Sequence, residues 1–269
     1  MQAPTFDTLL LSDIHLGSDI SRARDALALL KSSTYRRLIL LGDIFSDLNF
    51  GRLNGEHWKF LSYTRKLSNR KREVEVVWVE GNHDGGLSNV MSHLVGVPVF
   101  QRYVWNYNGQ RYLAIHGHQF DRFALDNVLL SRAGELLFSH IQKLDARNKT
   151  FSRCLDRLNT RWLRLSKKVA DGALAYAKAG RIDHIFCGHT HLPMHRERDG
   201  VHYYNTGAWI DARPTYATVC KEGVAIREYQ VDSYDCCANE EREREPAQPV
   251  DLFEQAGLPA FAGYQSLRC

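Results

Sequence analysis

Five short polar stretches, each at or directly after an apolar, strand-like run, constrain this sequence more than any other feature. Together they carry Asp, His and Asn side chains, which are common ligands of divalent metal ions in proteins. One such stretch is frequent by chance, whereas five in one chain predict that their side chains converge on one site. They are Asp13-Ile14-His15, Gly42-Asp43, Gly81-Asn82-His83-Asp84, His116-Gly117-His118 and Gly188-His189-Thr190-His191.

Apolar runs separated by helical patterns precede the first three of these stretches. Strands are predicted at 8–11, 37–41 and 74–79, and helices at 21–31 and 54–68. Such alternation predicts βαβ units around a largely parallel sheet, and ligands of such sheets lie beyond the carboxyl ends of the strands. The predicted fold class is therefore α/β. In the second helix, Trp58, Leu61 and Leu67 are the candidate core residues.

The second half of the chain adds further predicted strands. Segments 103–107 and 111–115 flank Asn108-Gly109, which is a favoured turn of two-residue β-hairpins. Segment 183–187 is another buried strand and leads into the last polar stretch. The strands expected at 202–204, 216–219 and 224–229 are predicted to form a closing β meander in a second sheet.

Residues 122–181 change to a helical pattern and are predicted to form a helical hairpin inserted between two strands. The second arm carries a heptad-like apolar stripe, in which Phe151 and Trp162 are expected to pack rather than to anchor in lipid. Basic residues of the insert outnumber its acidic residues, which favours an anionic bilayer surface or a phosphorylated lipid as partner. A solvated charged helix face is the plainer alternative.

The composition limits the classes of protein. The 269 residues are 44% hydrophobic and 25% charged, which is ordinary for a globular protein with a sizeable core. A net charge of +4 gives no reason to expect a nucleic-acid partner. No apolar run approaches the ~20 residues of a membrane-spanning helix, and no signal peptide is expected. The six irregularly spaced cysteines are predicted to be reduced thiols of a cytosolic protein.

The domain organisation is predicted from these patterns. Segments 1–121 and 182–232 form the core, and 122–181 form the helical insert that caps it. After Asp232 the chain becomes charged and proline-containing, with few apolar residues. The segment 233–269 is therefore predicted to be a poorly ordered tail.

Seven side chains of the polar stretches are candidate metal ligands: Asp13, His15, Asp43, Asn82, His116, His189 and His191. Seven are too many for one ion with an open position, but they suffice for two ions that share a carboxylate. Oxygen and imidazole donors without cysteine favour Mn, Fe or Zn over soft metals. The first and last stretches each hold two candidates spaced two residues apart, and on an extended chain such pairs face one side.

Three neighbouring residues are expected to support these ligands. His83 follows Asn82 and is predicted to project to a different side, where it can donate to a substrate phosphate or leaving oxygen. A structural hydrogen-bonding role is the alternative for His83. Asp84 is expected to brace its loop, and His118 to support the site or its loop rather than to bind metal.

In this order, the motifs DIH, GD, GNHD, HGH and GHTH resemble the signature of the calcineurin-like metallophosphoesterases, over residues 8–207. The resemblance implies a four-layer αββα sandwich with a dinuclear metal site between the sheets. Carried onto this chain, the family pattern assigns the first metal to Asp13, His15 and His191, the second to Asn82, His116 and His189, and the bridge to Asp43. The position of His83 is the one that assists phosphate binding or leaving-group departure.

Within the family, the chain resembles bacterial UDP-2,3-diacylglucosamine pyrophosphatases in length, in the Gly-Asp-Ile-Phe sequence after the second strand and in the helical insert. In those enzymes of lipid A synthesis the insert caps the site and holds acyl chains. The resemblance implies a nucleotide-linked glycolipid substrate and two divalent ions, of which Mn is favoured. With the basic insert 122–181, it favours a cytoplasmic protein that can contact the inner membrane peripherally. Well-known members carry Arg at the position of His83.

Three alternatives to this hypothesis remain open. A soluble nucleotide phosphodiesterase or phosphatase would be favoured by a shallow, polar insert surface. A non-catalytic binding module on the same fold would usually have lost ligand residues, and none is lost here. The simplest alternative is a set of scattered Asp and His residues that share no site.

Overall fold

A computed structural model describes residues 5–69, 73–86, 92, 96–121 and 150–230, with side chains described throughout except in 150–161. All of these residues belong to one compact unit, Met1–Gln230. The first arm of the predicted hairpin and the predicted tail lie outside the described residues. The predicted domain boundaries therefore stay a prediction.

Two β-sheets form the centre of the described part of the chain. Their strands are β1 (Thr5–Leu11), β2 (Thr34–Leu41), β3 (Glu75–Val79), β4 (Val99–Phe100), β5 (Arg102–Tyr107), β6 (Gln110–Ile115), β7 (His184–Cys187), β8 (Met194–Arg198), β9 (Val201–Asn205), β10 (Thr215–Cys220) and β11 (Gly223–Glu228). The first sheet has the order β11-β10-β1-β2-β3-β4, and the second has the order β5-β6-β7-β9-β8. The α-helices described are α1 (Ala23–Ser32), α2 (Gly55–Leu67) and α3 (Thr150–Ala179).

The layers stack in the order helices, sheet, sheet, helix. Leu10 and Ile39 of the first sheet belong to the same buried cluster as Trp105, Tyr112 and Phe186 of the second. The opposite face of the first sheet packs against α1 and α2, and the outer face of the second sheet packs against α3. Because the central strands are covered on both faces, their sequences are continuous apolar runs. The predicted α/β fold, a four-layer αββα sandwich, is confirmed.

Parallel pairing directs the ends of the central strands to a common edge of each sheet. In the first sheet, β1 pairs in parallel with β2, and β2 with β3. In the second, β7 pairs in parallel with both β6 and β9. The five polar stretches follow β1, β2, β3, β6 and β7. All five therefore leave their sheet at the carboxyl end of a strand, where open α/β sheets bind ligands.

The prediction of a closing β meander is wrong. Strand β9 pairs with β7 in the second sheet, whereas β10 and β11 extend the first sheet, with β10 antiparallel to β1. The edge of β1 needs a hydrogen-bonding partner, and residues 206–214 carry the chain across to supply it. The sequence patterns also do not predict β4 or β8. Strand β8 lies at a sheet edge and is largely exposed, so it lacks a clear apolar alternation.

Helix α2 begins with a capping box. The Asn54 side chain accepts a hydrogen bond from the His57 N–H at 3.0 Å, and His57 Nδ1 accepts one from the Asn54 N–H at 3.2 Å. Leu61 and Leu67 are buried as predicted, but Trp58 is 51% exposed, so its prediction as a core residue is wrong. Trp58 lies about 100° around the helix from the buried His57, outside the face that packs on the sheet.

Helix α3 continues the helical pattern predicted for the insert, and its C-terminal half lies on the second sheet. Ala170, Ala173, Leu174 and Ala177 are buried there in one cluster with residues of β6, β7 and β9. These mostly small side chains let the helix backbone approach the sheet closely. None of the helices in the described part of the chain is long and apolar enough to cross a bilayer.

We expect Asn54→Ala to lower the free energy of unfolding by about 1 kcal/mol, because it removes the acceptor of the His57 N–H. Urea denaturation at constant temperature measures this change. Asn54→Ser keeps a capping oxygen and is the matched control. Equal stability of the Ala and Ser variants would show that the side-chain cap contributes nothing to α2.

Candidate metal centre

Six of the seven candidate ligands form two groups at the carboxyl ends of the strands. The first group is Asp13, His15 and His191, and the second is Asp43, His116 and His189; within each, one ligand atom per residue lies within 4.8 Å of the others. His191 Nε2 is 3.2 Å from Asp13 Oδ1, and His116 Nε2 is 3.1 Å from Asp43 Oδ2. Each group therefore draws on loops of both sheets.

The two groups adjoin each other through the backbone. The His189 N–H of the second group donates to Asp13 Oδ2 of the first at 3.2 Å. The His15 N–H donates to the Asp43 carbonyl at 3.1 Å, and the Asp13 N–H donates to the Gly42 carbonyl at 3.0 Å. The structure thus separates the two GHTH histidines between the groups, as the family resemblance implies. The metal-ligand role of these residues stays a prediction.

Five of the candidate ligands have left-handed backbone conformations: φ is 52° at Asp13 and His15, 49° at Asp43, 67° at His189 and 53° at His191. This region costs a residue other than glycine roughly 1–2 kcal/mol, and such strain persists where the surrounding structure enforces it. The expectation that ligands spaced two residues apart share one side holds for Asp13 and His15, which lie in one group, and is wrong for His189 and His191. None of the four lies on an extended chain. Tight turns direct each side chain individually, so His189 and His191 enter different groups.

The imidazoles hold the buried carboxylates ionised. Burial acts to raise the pKa of Asp43, but the charge and hydrogen bond of His116, together with the charges of His83 and His15, outweigh it and hold that pKa well below its usual range. His191 lowers the pKa of Asp13 in the same way, against the effect of burial. Burial and the charge of His191 lower the pKa of His15 to about 4. Ionised carboxylates and a neutral imidazole are the forms that bind metal ions.

Asn82 Oδ1 is buried with no hydrogen-bond partner among the described residues, whereas His116 Nε2 has the carboxylate of Asp43 at 3.1 Å. An unsatisfied buried polar atom costs roughly 1–3 kcal/mol, and coordination of a cation would remove that cost. Asp43 outweighs burial and raises the pKa of His116 to about 10, so a cation at Nε2 would displace a proton. The donors present therefore fit two divalent ions, and the assignment of Asn82 to the second group stays a prediction.

Two glycines allow backbone and ligand side chains to touch. A Cβ atom on Gly42, whose φ is +77°, would lie 2.3 Å from His116 Nδ1. A Cβ on Gly188 would lie 2.3 Å from Asp13 Oδ2. Since both distances are far shorter than any real contact, a larger residue at either position would displace a candidate ligand.

The loop after β3 is braced as predicted and points His83 into the site. Asp84 accepts hydrogen bonds from the Gly81 N–H at 2.6 Å and the Ile44 N–H at 2.9 Å, which join two ligand loops. Burial and the charge of Asp43 raise the pKa of Asp84 to about 6. His83 Nδ1 lies 2.7 Å from the Ser46 carbonyl, and its Nε2 lies 4.0 Å from Asp43 Oδ2. The catalytic role of His83 stays a prediction.

His118 lies outside both ligand groups. Its ring is 5.5 Å from that of His116 and 6.3 Å from that of His189. Burial and the charges of these two histidines lower the pKa of His118 to about 3, so its ring is neutral. His118 borders a polar cavity of about 400 Å³ beside the second group. The cavity is lined by Glu80, Gly81, Asn82, Gly85, Gln101, His118 and Gln119.

Sequence reasoning missed two residues that contact the GHTH loop. Asp121 Oδ2 lies 3.2 Å from His189 Nε2. The Trp162 indole N–H donates to the Thr190 carbonyl at 2.8 Å, and its ring meets that of His191 edge-on at 6.2 Å. Trp162 is 42% exposed, and the packing predicted for it is made with this loop. In the sequence, only the position of Asp121, just beyond the HGH motif, indicated that one of these residues could lie near the site.

We expect Gly42→Ala to destabilise the fold and to reduce the metal content of the purified protein, because the new methyl group displaces His116. Gly200→Ala is the matched control: Gly200 has the same φ of +77°, but no heavy atom lies within 4 Å of the place its methyl group would take. Gly200→Ala should lower the free energy of unfolding by only roughly 1–2 kcal/mol, which is the cost of holding alanine in a left-handed conformation. Urea denaturation and elemental analysis measure both effects. Indistinguishable variants would contradict this account of Gly42.

Comparisons with solved structures find distant similarities. Among solved structures, the chain is similar to the Escherichia coli phosphoesterase Yfce, at 17% identity and a TM-score of 0.47, over 83% of this chain and 99% of that one. It is similar to an archaeal phosphodiesterase, at 16% identity and a TM-score of 0.45, over 82% and 97%. It is also similar to Vacuolar Protein Sorting 29 of Cryptosporidium parvum, at 15% and 0.44, over 83% and 97%.

Family membership rests on the sequence match and not on these distant structural similarities. A search of curated proteins finds no significant match. The family comparison matches residues 7–222 to the calcineurin-like phosphoesterase superfamily domain, and the matched region includes all five polar stretches. Since the match covers well over half of the chain, the protein belongs to the calcineurin-like phosphoesterase superfamily.

Proposed function

We propose that this metal-dependent phosphoesterase hydrolyses the pyrophosphate bond of UDP-2,3-diacylglucosamine or a related nucleotide-linked glycolipid. The reaction class, metal-dependent phosphoester hydrolysis, is that of its superfamily. The observation that carries the choice of substrate is the set of exposed apolar and basic side chains of α3 between Trp162 and Lys168, of which Trp162 contacts the candidate metal centre.

The residues of the site divide into those that hold ions and those that face the substrate. The proposed holders are Asp13, His15 and His191 for the first ion, Asn82, His116 and His189 for the second, and Asp43 for both. Two divalent ions at this site would supply positive charge to the phosphate oxygens and lower the pKa of the attacking water. The donor set does not distinguish Mn from Fe or Zn, and Mn is our first choice.

His83 is the proposed proton donor. The Ser46 carbonyl can only accept a hydrogen bond, so His83 Nδ1 carries a hydrogen at their 2.7 Å contact. A neutral ring would then present Nε2 as an acceptor, and only the protonated ring donates from Nε2. In that form His83 would donate to a phosphate oxygen or to the departing oxygen.

The apolar part of α3 supports a substrate with a hydrocarbon portion. Trp162 and Leu163 are 42% and 41% exposed. The hydrogen bond from Trp162 to the Thr190 carbonyl fixes this part of the helix beside the loop that holds His189 and His191. An exposed apolar side chain beside a polar site, as Trp162 is, fits a ligand that is apolar on one side and phosphorylated on the other.

The basic residues of the same helix support contact with an anionic membrane. Arg164, Lys167 and Lys168 are exposed and follow directly on Trp162 and Leu163. Basic side chains next to exposed aromatic and aliphatic ones are typical of helices that lie in a membrane interface. Peripheral contact at the cytoplasmic face of a membrane would bring a lipid-linked substrate to the metal centre.

The polar cavity beside Asn82 favours a second candidate function, hydrolysis of soluble nucleotide diesters. Glu80, Gln101 and His118 offer a carboxylate, an amide and an imidazole to sugar hydroxyls or base edges. In the glycolipid proposal the same cavity would receive the hydrophilic part of the substrate. The two candidates therefore differ in whether the exposed apolar side chains of α3 contribute to binding.

We expect Asp43→Ala and His116→Ala each to lower the hydrolysis of an aryl phosphodiester in Mn²⁺ by about 10²–10³-fold or more, because each removes a group that stabilises charge in the reaction. Initial rates at saturating Mn²⁺ measure the loss. Glu222→Ala and His202→Ala remove a carboxylate and an imidazole outside the two groups and should retain activity. Undiminished turnover in both site variants would refute the assignment.

The substrate is tested by assaying the lipid-linked UDP sugar, in anionic and in neutral vesicles, beside soluble nucleotide diesters. We expect preference for the lipid-linked sugar, faster turnover in anionic vesicles, and cleavage of its pyrophosphate bond. Leu163→Ser should raise the KM for the lipid-linked sugar about tenfold, since burial of part of a leucine contributes roughly 1.4 kcal/mol. It should leave the KM for soluble diesters unchanged.

Val104→Ser removes an equally exposed aliphatic side chain on β5 and is the control for Leu163→Ser. Preference for soluble diesters, with no effect of Leu163→Ser on either substrate, would favour the soluble phosphodiesterase. Equal rates in anionic and neutral vesicles would contradict the membrane contact.

A further inference from the structure

The turn after β6 places a buried carboxylate behind a candidate metal ligand. Asp121 is only 4% exposed, and its Oδ2 lies 3.2 Å from His189 Nε2. An ionised carboxylate can only accept hydrogen bonds, so the imidazole must donate from Nε2 at this contact.

This contact determines which nitrogen of His189 remains for a metal ion. A neutral imidazole carries one hydrogen, and a hydrogen on Nε2 leaves the lone pair on Nδ1. His189 belongs to the ligand group with Asp43 and His116, so one of its nitrogens must serve that group. With Nε2 bonded to Asp121, the serving nitrogen is Nδ1.

The local structure holds Asp121 firmly in this position. Residues His118–Phe120 form a single 3-10 turn, which Gly117 begins with a left-handed φ of 112°. The Asp121 N–H donates to the His118 carbonyl at 3.0 Å, which closes the turn. Next to it, Phe120 packs so closely on α3 that a Cβ on Gly172 would lie 3.2 Å from the Phe120 Cβ. Asp121 therefore sits on a turn anchored from both sides.

We propose that Asp121 is a positioning residue, which fixes the tautomer and ring orientation of His189 so that Nδ1 binds the second metal ion. The inference rests on the proposed two-metal function and deepens it. A carboxylate that accepts the second N–H of a metal-bound histidine also makes the ring a stronger ligand. Loss of such a partner typically weakens metal affinity by about 10–100-fold.

The test is a titration of the metal-free full-length protein with Mn²⁺, followed by calorimetry, which needs no substrate. Asp121→Ala should weaken one of the two binding steps by about 10–100-fold and leave the other unchanged. Asp121→Asn keeps an oxygen that accepts a hydrogen bond from His189 Nε2, so its Mn²⁺ affinity should fall by no more than a few-fold. Glu222→Ala, which removes an exposed carboxylate in the β10–β11 turn, should bind as the wild type does.

The outcomes separate this inference from the two-metal function. A wild-type protein that binds fewer than two ions would overturn both. Two ions bound by the wild type, with unchanged affinities in Asp121→Ala, would overturn the inference alone. Equal losses in the Asn and Ala variants would also overturn it, because they would indicate direct ligation or a charge effect. Thermal melting in chelator shows that each variant is folded, and the Asn variant decides the question if the Ala variant is not.

Discussion

The structure depends on keeping two carboxylates ionised where water does not reach them. Asp13 and Asp43 are almost fully buried, and a buried charge is very costly unless it is paired. His191 and His116 lie 3.2 and 3.1 Å from them and hold their pKa values low. The left-handed turns and the close approach at Gly42 serve to bring these groups to contact distance.

The two sheets contribute to this centre in different ways. The first sheet supplies both carboxylates, Asn82 and the imidazole of His15, and the second supplies the imidazoles of His116, His189 and His191. The GHTH loop of the second sheet is held from within by Asn205, whose amide donates to the Gly188 carbonyl at 2.6 Å. From outside it meets Trp162 of α3, so the position of that helix is tied directly to the metal centre.

Much of this arrangement was open to prediction from the sequence. Apolar runs located β1, β2, β3, β6 and β7, because strands buried on both faces need continuous apolar side chains. Polar residues directly after those runs located the site. Prediction failed where the outcome depends on parts of the chain distant in sequence. Trp58 has a helical spacing that allows burial, but it faces solvent. Strand β10 pairs with the edge of β1 in the first sheet instead of continuing the second.

The sequence by itself determined the residue types and the order of the ligand loops, because metal chemistry restricts both and strand patterns are local. The family resemblance already implied that His189 and His191 are divided between the two groups, whereas only the tertiary structure showed the turns that divide them and the contacts of Asp121 and Trp162 with their loop. Neither feature depends on sequence spacing. Left-handed turns direct His189 and His191 to different groups, and the contacts of Asp121 and Trp162 join segments that are 68 and 28 residues apart in the chain.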